Sequence, residues 1–175
     1  MKKALTLTFA VLLLASVASA QHGGPGGPGG GGPGGPEGHA IVGSDGTIYL
    51  TSVTVDPTTR TSSTKVTAVR STGTVAWTAT VANARGFELS GSNLITVTET
   101  TASDNTVSST LTALSINSGA VTWTRTLAGR AGQLTPFSGG TYVFVVVPPA
   151  TSGGTATRSL VAIGNDGSVL WTLSL

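Results

Sequence analysis

The chain has 175 residues, with nine Lys and Arg, seven Asp and Glu, and no cysteine. The lack of cysteine excludes disulfides, thiolate metal sites, cysteine nucleophiles and the lipid attachment of a bacterial lipoprotein. Lys2 and Lys3 lie in a segment that we expect to be removed, which leaves seven basic residues (nine minus two) against seven acidic ones. A neutral chain without a basic cluster is not expected to bind nucleic acid.

Residues 1–20 have the three-part pattern of a signal peptide. A basic start is followed by an apolar run over residues 4–15 and by a small-residue cleavage site that ends at Ala20. We expect cleavage after Ala20 and export to the periplasm or the medium. The apolar run is shorter than the roughly twenty residues that cross a bilayer, so no stable membrane insertion is expected after cleavage. A retained anchoring helix is the alternative interpretation.

Residues 21–38 consist almost entirely of Gly and Pro. Because the segment has no apolar side chains to bury, it cannot offset the entropy of ordering, and we predict a disordered linker. His22, Glu37 and His39 flank the tract and are conceivable metal ligands. Imidazoles on a flexible segment lack a preorganised geometry, so the sequence favours a plain linker and no metal site.

Residues 39–175 contain one unit written three times. Each unit ends in the signature Gly-x-Val-x-Trp, and the three tryptophans of the signatures are all that the chain contains. The units are predicted at about 39–82, 85–128 and 131–175. The signature residues expected to have a structural role are Gly73, Trp77, Gly119, Trp123, Gly167 and Trp171.

Each unit is predicted to form four strands, because runs rich in β-branched residues alternate with turn residues and no segment has a helical period. In the last strand, Val75, Trp77, Ala79 and Val81 are expected on one face and the threonines on a solvated face. The predicted strands are 39–43, 47–55, 64–70 and 74–81; 86–90, 93–100, 108–115 and 120–127; and 132–137, 141–147, 158–164 and 168–174.

The second unit contains the clearest family motif. Its residues 113–123, ALSINSGAVTW, resemble the AxDxxTGKxxW blade motif of pyrroloquinoline-quinone-type (quinoprotein-like) β-propellers. The stretch keeps the Ala, Gly and Trp and has Ser115 for Asp and Ser118 for Thr; the turns of the other two units are one residue shorter. The resemblance implies a partial propeller of three four-stranded antiparallel blades (PQQ-like repeats). It also implies that each Trp docks against the adjacent blade and that each Gly turns the last hairpin.

Three blades are fewer than the four to eight that usually close a ring. An open arc would expose two apolar blade faces, which natural proteins cover by assembly. We expect a homodimer that completes a six-bladed ring, with a nine-bladed trimer as a less typical form. Another extracytoplasmic protein is the alternative partner, and a fragment of a longer propeller is the alternative origin.

Two local features are candidates for partner contact. Arg85 and Arg130 occupy equivalent positions of two units, which structural equivalence explains without a ligand, although an acidic partner is conceivable. The loops at 56–63, 101–109 and 148–157 are polar and should emerge on one face, suited to a protein or glycan surface or to solvation alone. Arg125 falls on the Trp face of its strand, where it would stack on an indole or, as we expect, extend outward to solvent.

No set of residues indicates a reaction. Quinone-dependent relatives add a calcium site of Glu, Asn and Asp, which this chain is too poor in acids to match. Paired carboxylates for glycoside hydrolysis are conceivable, but the acids are expected in turns and on solvated faces. We predict no catalytic, cofactor-binding or metal-binding residues, and an exported non-enzymatic binding or scaffold module. The alternative is an enzyme, a quinoprotein dehydrogenase or a hydrolase, that needs partner blades. The acids considered are Asp45, Asp56, Glu88, Glu99, Asp104 and Asp166.

Overall fold

The computed structural model describes residues 39–149 and 153–175. The predicted signal peptide at 1–20 and the predicted linker at 21–38 lie outside these residues. Every regular element in the described part of the chain is a strand. Within the same residues, no helix of sufficient length and apolar character to span a membrane is present.

Three four-stranded antiparallel sheets form, one from each sequence repeat. This arrangement confirms the predicted all-β fold of three propeller-like blades. The first blade contains β1 (Ala40–Val42), β2 (Ile48–Val55), β3 (Ser62–Val69) and β4 (Val75–Ala82). The second contains β5 (Ala84–Ser90), β6 (Asn93–Thr101), β7 (Val107–Ser115) and β8 (Val121–Ala128). The third contains β9 (Arg130–Phe137), β10 (Gly140–Val147), β11 (Thr157–Gly164) and β12 (Val169–Ser174).

The second blade lies between the other two and packs against both. Strand order follows the chain in each blade, and the first strands of the second and third blades, β5 and β9, contact each other. Two apolar clusters fill the two junctions. The first cluster is centred on Tyr49, Val66, Ala68, Trp77, Leu94 and Leu114; the second is centred on Ile95, Val97, Leu111, Ala113, Leu134, Val143, Val145, Val161 and Ile163.

A β-bulge precedes the tryptophan in every blade. In the first blade, Ala68 pairs with Trp77 but Val69 pairs with Val75, so Ala76 is the extra residue. The second and third blades have the same slip. A slip of one residue turns the preceding side chain to the other face. The prediction that Val75 shares the buried face with Trp77 is therefore wrong: Val75 is 58% exposed, whereas Trp77 is buried.

The first strands of the second and third blades begin two residues earlier than predicted, at Ala84 and Arg130. The sequence suggested that Gly86 starts a strand. Instead, Gly86 has a positive φ of 62° and sits in a bulge between two paired segments of β5. Glycine tolerates this conformation, so the ladder continues on both sides of it.

Candidate functional site

The junction between the first and second blades is built around Trp77. Its indole Nε1–H donates a hydrogen bond to the carbonyl of Ile116, 2.8 Å away. The ring lies over Gly119, where an added Cβ would be only 2.5 Å from Cε3 of the indole. Gly119 also has a φ of 71°, which favours glycine. The hairpin of one blade is thus a seat for the tryptophan of the preceding blade.

The junction between the second and third blades repeats this arrangement. The Nε1–H of Trp123 donates to the carbonyl of Asn165 at 2.8 Å, and the ring lies over Gly167. Arg125 adds a contact that its sequence position did not suggest. Its Nε–H donates to the carbonyl of Gly167 at 2.7 Å. Arg125 therefore reaches across the junction to the next hairpin rather than outward to solvent.

Polar side chains also link the second and third blades, and the sequence analysis missed them. Ser90 donates to the carbonyl of Gly140 at 2.7 Å, and the amide of Asn93 donates to Asn165 at 3.0 Å. Ser109 donates to the carbonyl of Gly129, between the two blades, at 2.9 Å and accepts a hydrogen bond from the backbone N–H of Ala131 in β9 at 2.8 Å. Each of these three side chains is buried. The strands that hold these residues also contain other Ser, Thr or charged residues, so nothing in the sequence marks these three as the buried, partnered ones.

The tryptophan of the third blade has no such seat in the described chain. Trp171 is 43% exposed, against 8% for Trp77. Its ring packs at 5.6 Å and 42° against Tyr142 of the same blade. Leu173 and Leu175, further along the same edge, are 52% and 67% exposed. Trp171, Leu173 and Leu175 thus expose apolar side chains along this edge of the third blade.

The first blade also has an open surface. Gly73 has a positive φ of 81°, and Gly119 and Gly167 also have positive φ values, of 71° and 82°. Gly73 is exposed, whereas the other two are buried. Apart from Gly73 itself and its two neighbours in the chain, no described residue has an atom within 4 Å of a Cβ added at Gly73. Val42 and Ile48 of the same blade are 65% and 37% exposed.

The four described aspartates lie in turns rather than in a catalytic pair. Each accepts hydrogen bonds from the residue two positions further on, as Asp166 does from the Oγ (2.6 Å) and backbone N–H (2.9 Å) of Ser168. These bonds stabilise the carboxylate, so the pKa of each aspartate is lowered from its usual value. The aspartates and their donor residues are Asp45 with Thr47, Asp56 with Thr58 and Thr59, Asp104 with Thr106, and Asp166 with Ser168.

The two equivalent arginines meet at one carboxylate. Arg85 and Arg130 lie 3.9 Å and 3.8 Å from oxygens of Glu99, which is mostly buried. Glu88 lines a cleft of about 220 Å³ beside Arg85. Groups of three or more His, Asp or Glu side chains that would hold a metal ion do not occur within residues 39–149 and 153–175. The contact between Arg130 and Glu99 ties the third blade to the second, whereas the contact between Arg85 and Glu99 lies within the second blade.

One of the loops is less polar than its sequence suggested. The strands extend further than expected, so the turn between β6 and β7 is reduced to residues 102–106. Val107 of β7 and Pro148 and Pro149 of the third loop line a cleft of about 280 Å³. Val107, Pro148 and Pro149 thus form an apolar patch in this cleft, beside the polar residues of the turn between β6 and β7.

Comparisons with known proteins add little to this description. No family model matches the chain, and no curated protein matches it. Among solved structures, it is similar to one described as a crystal structure of an ACO/RPE65 chimera, with 11% identity and a TM-score of 0.40. The match covers 76% of this chain and 36% of the other, so this chain spans about a third of that structure's length. The blade assignment rests on the three sheets themselves.

Proposed function

We propose that the chain is an exported, non-enzymatic binding or scaffold module built from PQQ-like propeller blades. The observation that carries the proposal is the open edge of the third blade, where Trp171 and Leu173 are exposed side by side. An aromatic anchor in an apolar surface is the usual centre of a protein interface. The binding surface is therefore an unfilled version of the junctions that hold the blades together.

The family assignment within this proposal is supported by the motif over residues 113–123. The bulge before each Trp and the positive φ of each signature Gly recur in all three blades, as a structural motif requires. The residues present do not fit the calcium-quinone group of the family's dehydrogenases. The four described aspartates are exposed and engaged in their own turns, which leaves them unsuited to a shared metal site.

The experiment places a photoreactive amino acid at position 173 in the exported protein. On irradiation in the exporting cell, we expect one discrete crosslinked protein species, because Leu173 lies at the centre of the proposed surface. The matched control carries the same group in place of Val121, which is similarly exposed at 59% but lies on the outer strand of the middle blade. The control should give no discrete species.

Two results would contradict the proposal. The first is the absence of any discrete crosslink at position 173 when the protein is present and folded. The second is substrate turnover by the purified chain with added quinone and calcium, or with glycoside substrates. The mass of the crosslinked species identifies the partner and shows whether it is a different protein or a second copy of the chain.

A further inference from the structure

We propose that the open face of the third blade binds the open face of the first blade in a second copy of this chain, so that two copies close a six-bladed ring. The inference names the partner of the surface described above and so rests on the proposed function. It is carried by a residue-by-residue match between the two open faces and the two faces already joined within the chain.

The face that carries the tryptophan is the same in the first and third blades. In each, a tyrosine, an alanine and a tryptophan lie in register across three adjacent strands. The Tyr and Trp rings are 5.8 Å apart in the first blade and 5.6 Å apart in the third, with an interplanar angle of 42° in both. The third blade thus presents a preformed copy of a face that is docked elsewhere in the molecule. The residues are Tyr49, Ala68 and Trp77, and Tyr142, Ala162 and Trp171.

The receiving face is similar in the second and first blades, with aliphatic residues at matching register positions. In the second blade, three leucines in register and Gly119 receive Trp77, and Leu94 and Leu114 are almost completely buried there. Aliphatic residues occupy the same register positions of the first blade, next to the open Gly73. The matched sets are Leu89, Leu94 and Leu114 in the second blade, and Val42, Ile48 and Val69 in the first.

The junctions within the chain also indicate which hydrogen bond the tryptophan would make between two copies. Trp123 donates to the carbonyl of Asn165, which stands two residues before Gly167. The first repeat has the same shorter turn as the third, so the equivalent carbonyl belongs to Ser71, two residues before Gly73. We therefore place the indole N–H of Trp171 on the Ser71 carbonyl of the second copy. Tryptophan is favoured at interfaces because its ring can be buried while its indole N–H donates a hydrogen bond.

Each copy supplies one face of each kind, so the contact is head to tail. Two such contacts related by a twofold axis close on themselves and leave neither open face exposed. The resulting ring has six blades, within the usual range of four to eight. A second copy thus covers both faces at once.

The orientation is tested by crosslinking two single-cysteine variants, since the chain has no cysteine of its own. Leu173→Cys places a thiol two residues after Trp171. The equivalent residue of the second blade is Arg125, two residues after Trp123, and it contacts the hairpin of the next blade. Thr74→Cys places one beside Gly73. After subunit exchange, a short bismaleimide should link a mixture of the two variants into a species of twice the chain's mass. Neither variant alone should crosslink. Crosslinking of Leu173→Cys alone would show face-to-face pairing and overturn the proposal, as would no crosslinking in the mixture.

The affinity is tested with substitutions on either side of the contact. Trp171→Ala should weaken self-association by at least about 30-fold, as for a central aromatic anchor. Val121→Ala, a similarly exposed residue on the middle blade, should leave it unchanged. Gly73→Ala should weaken association by about tenfold or more, because its Cβ would meet the incoming ring as at Gly119. Gly153→Ala is the matched control, with a φ of 85° and no described atom nearby.

The outcomes separate this inference from the proposed function. A photo-crosslink from position 173 to a different protein, with no crosslink in the cysteine mixture, would overturn the second-copy partner and leave the binding module standing. If neither the photo-crosslinking at position 173 nor the cysteine mixture gave a crosslinked species, both the second-copy partner and the binding module would be contradicted. Equal association of Trp171→Ala and the unmodified chain, with both folded by denaturant titration, would also contradict the inference.

Discussion

Trp77 of the first blade lies directly over Gly119 of the second, with no room for a side chain between them. This contact joins a residue that ends one sequence repeat to the turn of the next. The same contact joins Trp123 to Gly167, so the glycine and the tryptophan of the second repeat serve two different junctions.

We predict that Gly119→Ala destabilises the chain more than Gly153→Ala does. Both glycines have positive φ, at 71° and 85°, so both substitutions carry a backbone cost of about 1 kcal/mol. At Gly119 the new Cβ also collides with the indole, which adds about 1 to 3 kcal/mol of overpacking. Urea denaturation gives the two free energies of unfolding. Equal losses would show that Trp77 does not rest on this hairpin.

Arg125 should contribute to stability through the hairpin of the third blade. Its partly buried Nε–H donates to the carbonyl of Gly167, and hydrogen bonds to charged groups contribute about 1.5 to 3 kcal/mol. We predict that Arg125→Ala lowers the free energy of unfolding by roughly this amount. Arg85→Ala is a suitable comparison, since that side chain is 74% exposed and should contribute less than about 1 kcal/mol. A similar loss in both variants would mean that the bond across the junction is not formed.

The turn aspartates should make stability depend on pH in the acid range. Hydrogen bonds from Ser168, the side chain first, hold the pKa of Asp166 below its usual 3.8, with a smaller contribution from Arg125. A lowered folded-state pKa stabilises the fold above the unfolded-state pKa, and this stabilisation is lost as pH falls through the folded-state value. Asp166→Asn should therefore be less stable than the unmodified chain at neutral pH, and the difference should disappear as the pH falls through the folded-state pKa of Asp166. A difference that stays constant from pH 7 to acid would contradict this origin.

Export should leave a defined N-terminus. If residues 1–20 are a signal peptide, intact-mass measurement of the exported protein should show a chain that begins at Gln21. Replacing Ala18 and Ala20 by bulky residues should block processing, because the peptidase requires small side chains at this site. An exported chain that still begins at Met1 would contradict the assignment.

The sequence predicted the number of strands and their approximate limits, because β-branched runs and turn residues are local signals. It did not predict the bulge before each tryptophan, since one extra residue in a strand leaves no local mark. The partner of Arg125 was also missed, because the acceptor lies 42 residues further along the chain. The sequence also did not predict that the carbonyls of Ile116 and Asn165 accept the tryptophan hydrogen bonds, because a backbone acceptor has no sequence signature.

The central claim is that an unseated tryptophan on one blade and an unfilled glycine seat on another join two copies of the chain. The most direct measurement is the molar mass of the purified chain in solution, by light scattering at micromolar concentration. We predict twice the mass of one chain for the unmodified protein, and the mass of one chain for a folded Trp171→Ala variant. A well-behaved monomer, or a larger ring or open polymer, for the unmodified chain would contradict the six-bladed assembly.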